Sequence, residues 1–90
     1  MATTQPAPED QRAVQARLNR AAGQLNGIVR MIEEGRDCED VVRQLAAVSK
    51  AVNSAAYTLV YTSLKQCLVE GRADSDEVQA RLQKVLLSLA

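Results

Sequence analysis

Two cysteines, Cys38 and Cys67, carry most of the chemistry available to this 90-residue chain, which contains no histidine. A thiolate is both a nucleophile and a soft metal ligand, so the pair suits sulfur exchange or a thiophilic metal. No Gly or Pro lies between Gly35 and Gly71, and nothing local interrupts a helix running through both cysteines. At about 1.5 Å of rise per residue such a helix holds the sulfurs roughly 40 Å apart. A disulfide needs α-carbons within ~7 Å, and a shared metal needs the sulfurs closer still. The two therefore cannot meet within one chain. In an antiparallel dimer the start of one helix lies beside the end of the other, and the two-fold axis brings Cys38 to Cys67 of the partner subunit twice.

Other chemistry is sparse. The absence of histidine removes the commonest general base and metal ligand, and no Walker loop, Rossmann fingerprint or nucleophile elbow occurs. An enzyme is not expected. Cys38, in the first turn of a helix, faces backbone N–H groups and the positive dipole end, with Asp37, Glu39 and Asp40 opposing them. Cys67 has Lys65 close in sequence. Taken alone, each cysteine reads as a small buried hydrophobe. Tyr57 and Tyr61 read as packing residues, and Ser63, one turn before Cys67, reads as a surface or interface hydroxyl.

The elements that must position these residues are helical. Residues 1–7 are small and polar and are expected to form a flexible tail, leaving 8–90 as a single helical domain. Pro8 suits a first helical turn, followed by Glu9 and Asp10. Val14, Leu18, Ala21, Leu25, Ile28 and Ile32 then form one apolar stripe of a helix ending at Gly35. Asp37 is the expected N-cap of a long central helix that stops at Gly71. Its apolar residues form two adjacent stripes, Val41, Leu45, Val48, Val52, Ala55, Leu59 and Val42, Ala46, Ala56, Val60, Leu64. More than one side is expected to be covered, as in an oligomer. Asp74 and Glu77 read as a capping box for a short third helix striped by Val78, Leu82, Val85 and Leu89. A helix about 50 Å long is too long for a compact monomer of this size, so the expected fold is all-α and oligomeric. No apolar run approaches a membrane span, and a cytoplasmic location is expected.

Net charge is zero, with 11 basic and 11 acidic residues, yet the acids avoid two long segments. Gln11 through Ile32 carries Arg12, Arg17, Arg20 and Arg30 without an acid, and Val41 through Val69 carries only Arg43, Lys50 and Lys65. Arg17, Arg20 and Gln24 fall on one side of the first helix. Repeated in an oligomer, such a stripe suits DNA phosphates; by composition alone an ordinary solvated face is the simpler reading.

The run RLNRAAGQLNGIVRMIEEGRDCEDVVRQLAAVSKAV, followed by LKQC around Cys67, resembles the CsoR/RcnR family of bacterial all-helical repressors over Arg17 to Val69. The resemblance implies three helices per chain, an antiparallel dimer pairing into a tetramer, operator DNA on a basic face, and release when an inducer occupies an intersubunit thiol site. It places Arg17, Arg20 and Gln24 on the DNA face, with Lys50 as an addition. Two arginines used by copper-sensing members align with Ser54 and Ala22.

The inducer turns on a few positions. Copper-sensing members combine the two cysteines with a His four residues before the second, where this chain has Ser63. Nickel, cobalt and formaldehyde sensors of the family also need His. Asp37 and Gln83 stand where copper sensors have a Tyr and a Glu. The remaining two-Cys pattern is similar to the CstR-like repressors, in which low-molecular-weight persulfides or polysulfides link the cysteines across the dimer. On this resemblance the expected function is persulfide sensing through Cys38 and Cys67 with no cofactor. The alternatives are a Cu(I)-responsive repressor using the same two thiols, a thiol carrier in sulfur metabolism that binds no DNA, and a helical interaction module.

Overall fold

Pro8 fixes the backbone where α1 begins, and the computed structural model, which describes residues 5–89, contains α1 (Pro8–Glu33), α2 (Cys38–Glu70) and α3 (Ser75–Leu87). No strand occurs among the described residues, and the fold is all-α as expected. Gly35 ends α1 with φ 72°, its N–H bonding to the Ile32 carbonyl at 3.1 Å while Arg36 N–H reaches that of Met31 at 2.9 Å. Asp37 caps α2 as the sequence predicts, its carboxylate accepting from the Glu39 N–H at 3.2 Å. Of the expected tail, residues 1–4 lie outside the described residues. Gln5 and Pro6 lie back on α1, where the Gln11 amide donates to Gln5 Oε1 and the Pro6 carbonyl at 3.2 and 2.8 Å.

α1 and α2 form an antiparallel hairpin within a body 55 × 25 × 18 Å in extent. Two cross-helix ties set its register: Arg17 bonds to Thr58, and Asp10 pairs with Lys65, seven residues back on α1 and seven forward on α2. The buried residues keep that seven-residue step. Val14, Ala21 and Ile28 of α1 face Val41, Val48, Ala55 and Thr62 of α2 as a single coiled-coil-like column. Here the structure departs from the predicted stripes. Leu18, Leu25 and Ile32, and likewise Leu45, Val52 and Leu59, are at least two-fifths exposed. Two helices can enclose only one column between them, so the second column of each stripe has nothing in its own chain to cover it.

α3 packs against α2 through Val78, 1% exposed, while Val85 of its predicted stripe faces outward. The predicted capping box does not form. Asp74 makes no side-chain cap bond; its carboxylate instead accepts from the Arg72 guanidinium in a charge-assisted pair.

Candidate thiol site and cationic groove

Cys38 is the first residue of α2 and is exposed; Cys67 lies near the other end of the same unbroken helix and is 3% exposed. Both thiols are free. The helix runs without interruption between them, as the lack of Gly and Pro required, so one chain separates the sulfurs by most of its length. Among the described residues of one chain, no three His, Cys, Asp or Glu side chains converge on a metal-sized site.

The surroundings of Cys67 differ from expectation in two ways. Ser63, predicted as a surface or interface hydroxyl, is 5% exposed, one helical turn before Cys67 on the covered side of α2. Its neighbours include Val14 and Leu18 of α1 and Leu82 of α3, which share with it the wall of an open apolar groove of about 500 Å³. Lys65, the sequence-adjacent cation, turns to α1, where its Nζ lies 3.0 Å from Asp10 Oδ2. The hydrogen bond and charge of Asp10 hold the Lys65 ammonium above its ordinary value.

The cation at Cys67 is instead Arg72, which sequence reasoning missed. Gly71, with φ 60°, donates to the Leu68 carbonyl at 3.1 Å, and Arg72 N–H makes a longer bond of 3.5 Å to the Cys67 carbonyl. The chain thus folds Arg72 back toward Cys67. Asp74 then grips the guanidinium through both oxygens, at 3.0 and 2.9 Å. This pairing holds the Asp74 carboxyl below its ordinary range, and the Arg72 pKa is raised first by Asp74 and in smaller part by the charge of Cys67. A usable signal was present in the sequence: Gly71 followed by a cation, with an acid two residues on.

On the flank of the hairpin, Arg17, Arg20 and Gln24 of α1 line a groove with Ala51 and Ser54 of α2. The structure therefore brings together three of the four predicted DNA-facing residues. Lys50 is exposed on α2 beside this groove and outside its lining. Ser54 lies in the groove wall and adds no charge to it.

Two thiols without an imidazole form a donor set suited to Cu(I), which accepts two soft ligands. They also suit sulfur exchange, which needs an attacking and a resolving thiol. Either chemistry requires a second copy to bring a Cys38 to a Cys67. No helix of the described residues is long and apolar enough to cross a membrane.

The model of a family described as metal-sensitive transcriptional repressor matches residues 10–88. The chain is similar to the copper-sensing transcriptional repressor RicR of Mycobacterium tuberculosis, 43% identical over 58 residues, covering 64% of this chain and 60% of the relative. It is similar also to the copper-sensing transcriptional repressor CsoR of Mycobacterium ulcerans, 34% identical over 71 residues, covering 74% of this chain and 61% of the relative. A third similarity, 39% over 49 residues, is to the uncharacterized protein YrkD of Bacillus subtilis, covering 54% of this chain and 78% of the relative. The chain thus spans about three-fifths of the length of the copper-sensing relatives.

Proposed function

Because the chain belongs to the family of metal-sensitive transcriptional repressors, we propose that it represses transcription by binding operator DNA and lets go when an inducer joins Cys38 to Cys67 of the partner subunit. The observation that carries this reading is the position of two free thiols at opposite ends of one helix, one exposed and one buried. Antiparallel pairing of two copies makes such ends neighbours. The half-exposed second column, Leu18, Leu25, Leu45, Val52 and Leu59, supplies an apolar face for that pairing. Two such dimers would form the tetramer, and the groove at Arg17, Arg20 and Gln24 would meet DNA phosphates. A repressor of this kind acts in the cytoplasm, on the chromosome.

The inducer best supported is Cu(I). The copper-sensing names of two relatives favour it over the persulfide sensing that the resemblance to the CstR-like repressors implied. Cys38 and the partner subunit's Cys67 would hold Cu(I) as soft thiolate ligands, and the ion would supply the link that favours one quaternary arrangement. The protein's own part is to orient both thiols and to convert their joining into a quaternary state with lower DNA affinity.

A persulfide remains a second reading, favoured by Ser63 at the position where copper sensors have an imidazole and by the lack of histidine in the chain. Its chemistry balances without a further oxidant. The Cys38 thiolate takes the outer sulfur of a persulfide, expelling the donor thiolate, and the Cys67 thiolate then attacks the Cys38 sulfur, expelling hydrosulfide and leaving a disulfide. Fluorescence anisotropy of labelled operator DNA separates the readings. Cu(I) is expected to release DNA from the reduced protein, with the response lost in Cys38→Ala and Cys67→Ala. Release by a persulfide donor and none by Cu(I) would replace the first reading with the second.

A further inference from the structure

The turn that ends α2 is a Schellman motif, closed by the Gly71 and Arg72 N–H groups on the Leu68 and Cys67 carbonyls. In this motif the side chain after the glycine characteristically packs on the residue whose carbonyl its N–H meets, and the contact is usually apolar. Here the two positions hold Arg72 and Cys67. The Arg72 side chain is 15% exposed and Cys67 3% exposed, so the turn holds a largely buried cation and a buried thiol at its two ends. Asp74 fixes the guanidinium plane through Nε and a terminal nitrogen. While it holds this guanidinium, Asp74 makes no side-chain cap bond to α3.

Resting on the thiol site of the proposed repressor, we propose that Arg72 is the counter-charge for an anionic sulfur at Cys67, with Asp74 as the residue that positions it. Charge balance explains the need. Cu(I) held by two thiolates carries one net negative charge, and a neutral imidazole in the set would leave that charge unchanged. Covered by α3 and a second copy, such an anion is costly unless a cation faces it. Sulfur exchange passes through an anionic sulfur at the same place, so the requirement is common to both inducers.

The test uses the full chain carrying Cys38→Ser, so that Cys67 is the only thiol. The rates of its alkylation by anionic iodoacetate and neutral iodoacetamide are compared, with and without Arg72→Gln or Arg72→Met. Loss of packing changes access for both reagents together, whereas loss of a nearby cation slows the anionic one selectively. The ratio of iodoacetate to iodoacetamide rates is expected to fall at least about threefold in both variants and to be retained in Arg72→Lys. In the two-thiol protein, Arg72→Gln is expected to weaken Cu(I) about 10- to 100-fold in competition with a chromogenic chelator. An unchanged rate ratio in both charge-removing variants, with helicity intact by circular dichroism, overturns the counter-charge whatever Cu(I) does to DNA binding. A fallen ratio in a protein that ignores both Cu(I) and persulfide leaves the counter-charge standing and removes the proposed function.

Discussion

Arg17 of α1 donates through Nη1 to Thr58 Oγ1 of α2 at 3.1 Å, and Thr58 in turn donates to the Ser54 carbonyl at 2.9 Å. A residue proposed to meet DNA is thereby anchored to the neighbouring helix, with its stem along the groove that also holds Arg20 and Gln24. Ordering an arginine before binding spares part of the entropy that a free side chain loses on contact.

For DNA binding, Arg17→Ala and Arg20→Ala are each expected to weaken affinity and to reduce the salt dependence, log K against log salt, by about 0.9 per lost phosphate contact. Thr58→Val keeps the charge and loses only the anchor, so affinity falls while the slope stays the same. Anisotropy titrations at several salt concentrations measure both quantities. Unchanged affinity in the Arg17, Arg20 double variant would place the DNA face elsewhere.

Assembly and folding should separate by column. Ile28 lies in the buried column, and Ile28→Ala is expected to cost about 2–5 kcal/mol through cavity formation. Leu25 and Leu45 lie in the half-exposed column, so Leu25→Glu and Leu45→Glu should lower the oligomer mass by light scattering more than they lower helicity. A reduced wild-type protein that stays monomeric at micromolar concentration would remove the premise of a shared thiol site.

The thiols should respond unequally because one is exposed and the other buried. With a persulfide donor, Cys67→Ala should accumulate an unresolved persulfide on Cys38, while Cys38→Ala should stay on DNA. Mass spectrometry reads the first and anisotropy the second. Ser63→His places an imidazole one turn from Cys67 and should tighten Cu(I) binding in chelator competition. If that variant binds Cu(I) no better, the groove wall around Ser63 does not face the metal.

Stability should depend on pH through Asp74. Hydrogen bonding to Arg72 lowers its folded pKa below the ordinary 3.8, so the unfolded chain takes up a proton at a pH where the folded chain does not. This contribution is present above that ordinary value and is lost as pH falls through the folded one. Asp74→Asn should therefore be less stable than wild type at neutral pH, with the difference narrowing as pH falls below the ordinary carboxylate range. Denaturant midpoints across that range test it, and a constant difference would assign the loss to packing.

Helix existence, the caps at Asp37 and Gly71, the separation of Cys38 from Cys67 and the clustering of Arg17, Arg20 and Gln24 were all legible in the sequence. Each depends on residue types at short range or on the fixed rise of a helix with no breaker in it. What the tertiary structure decided is which apolar column of each stripe is enclosed, because periodicity defines a face without saying how much of it one partner helix can cover. It also decided which cation stands at Cys67. Lys65 is nearer in sequence, yet the hairpin register carries it to Asp10, while the left-handed turn at Gly71 folds Arg72 back where linear spacing pointed it away. The burial of Ser63 is likewise a property of packing: it shares a groove wall with residues of α1 and α3, which no residue near it in the chain encodes.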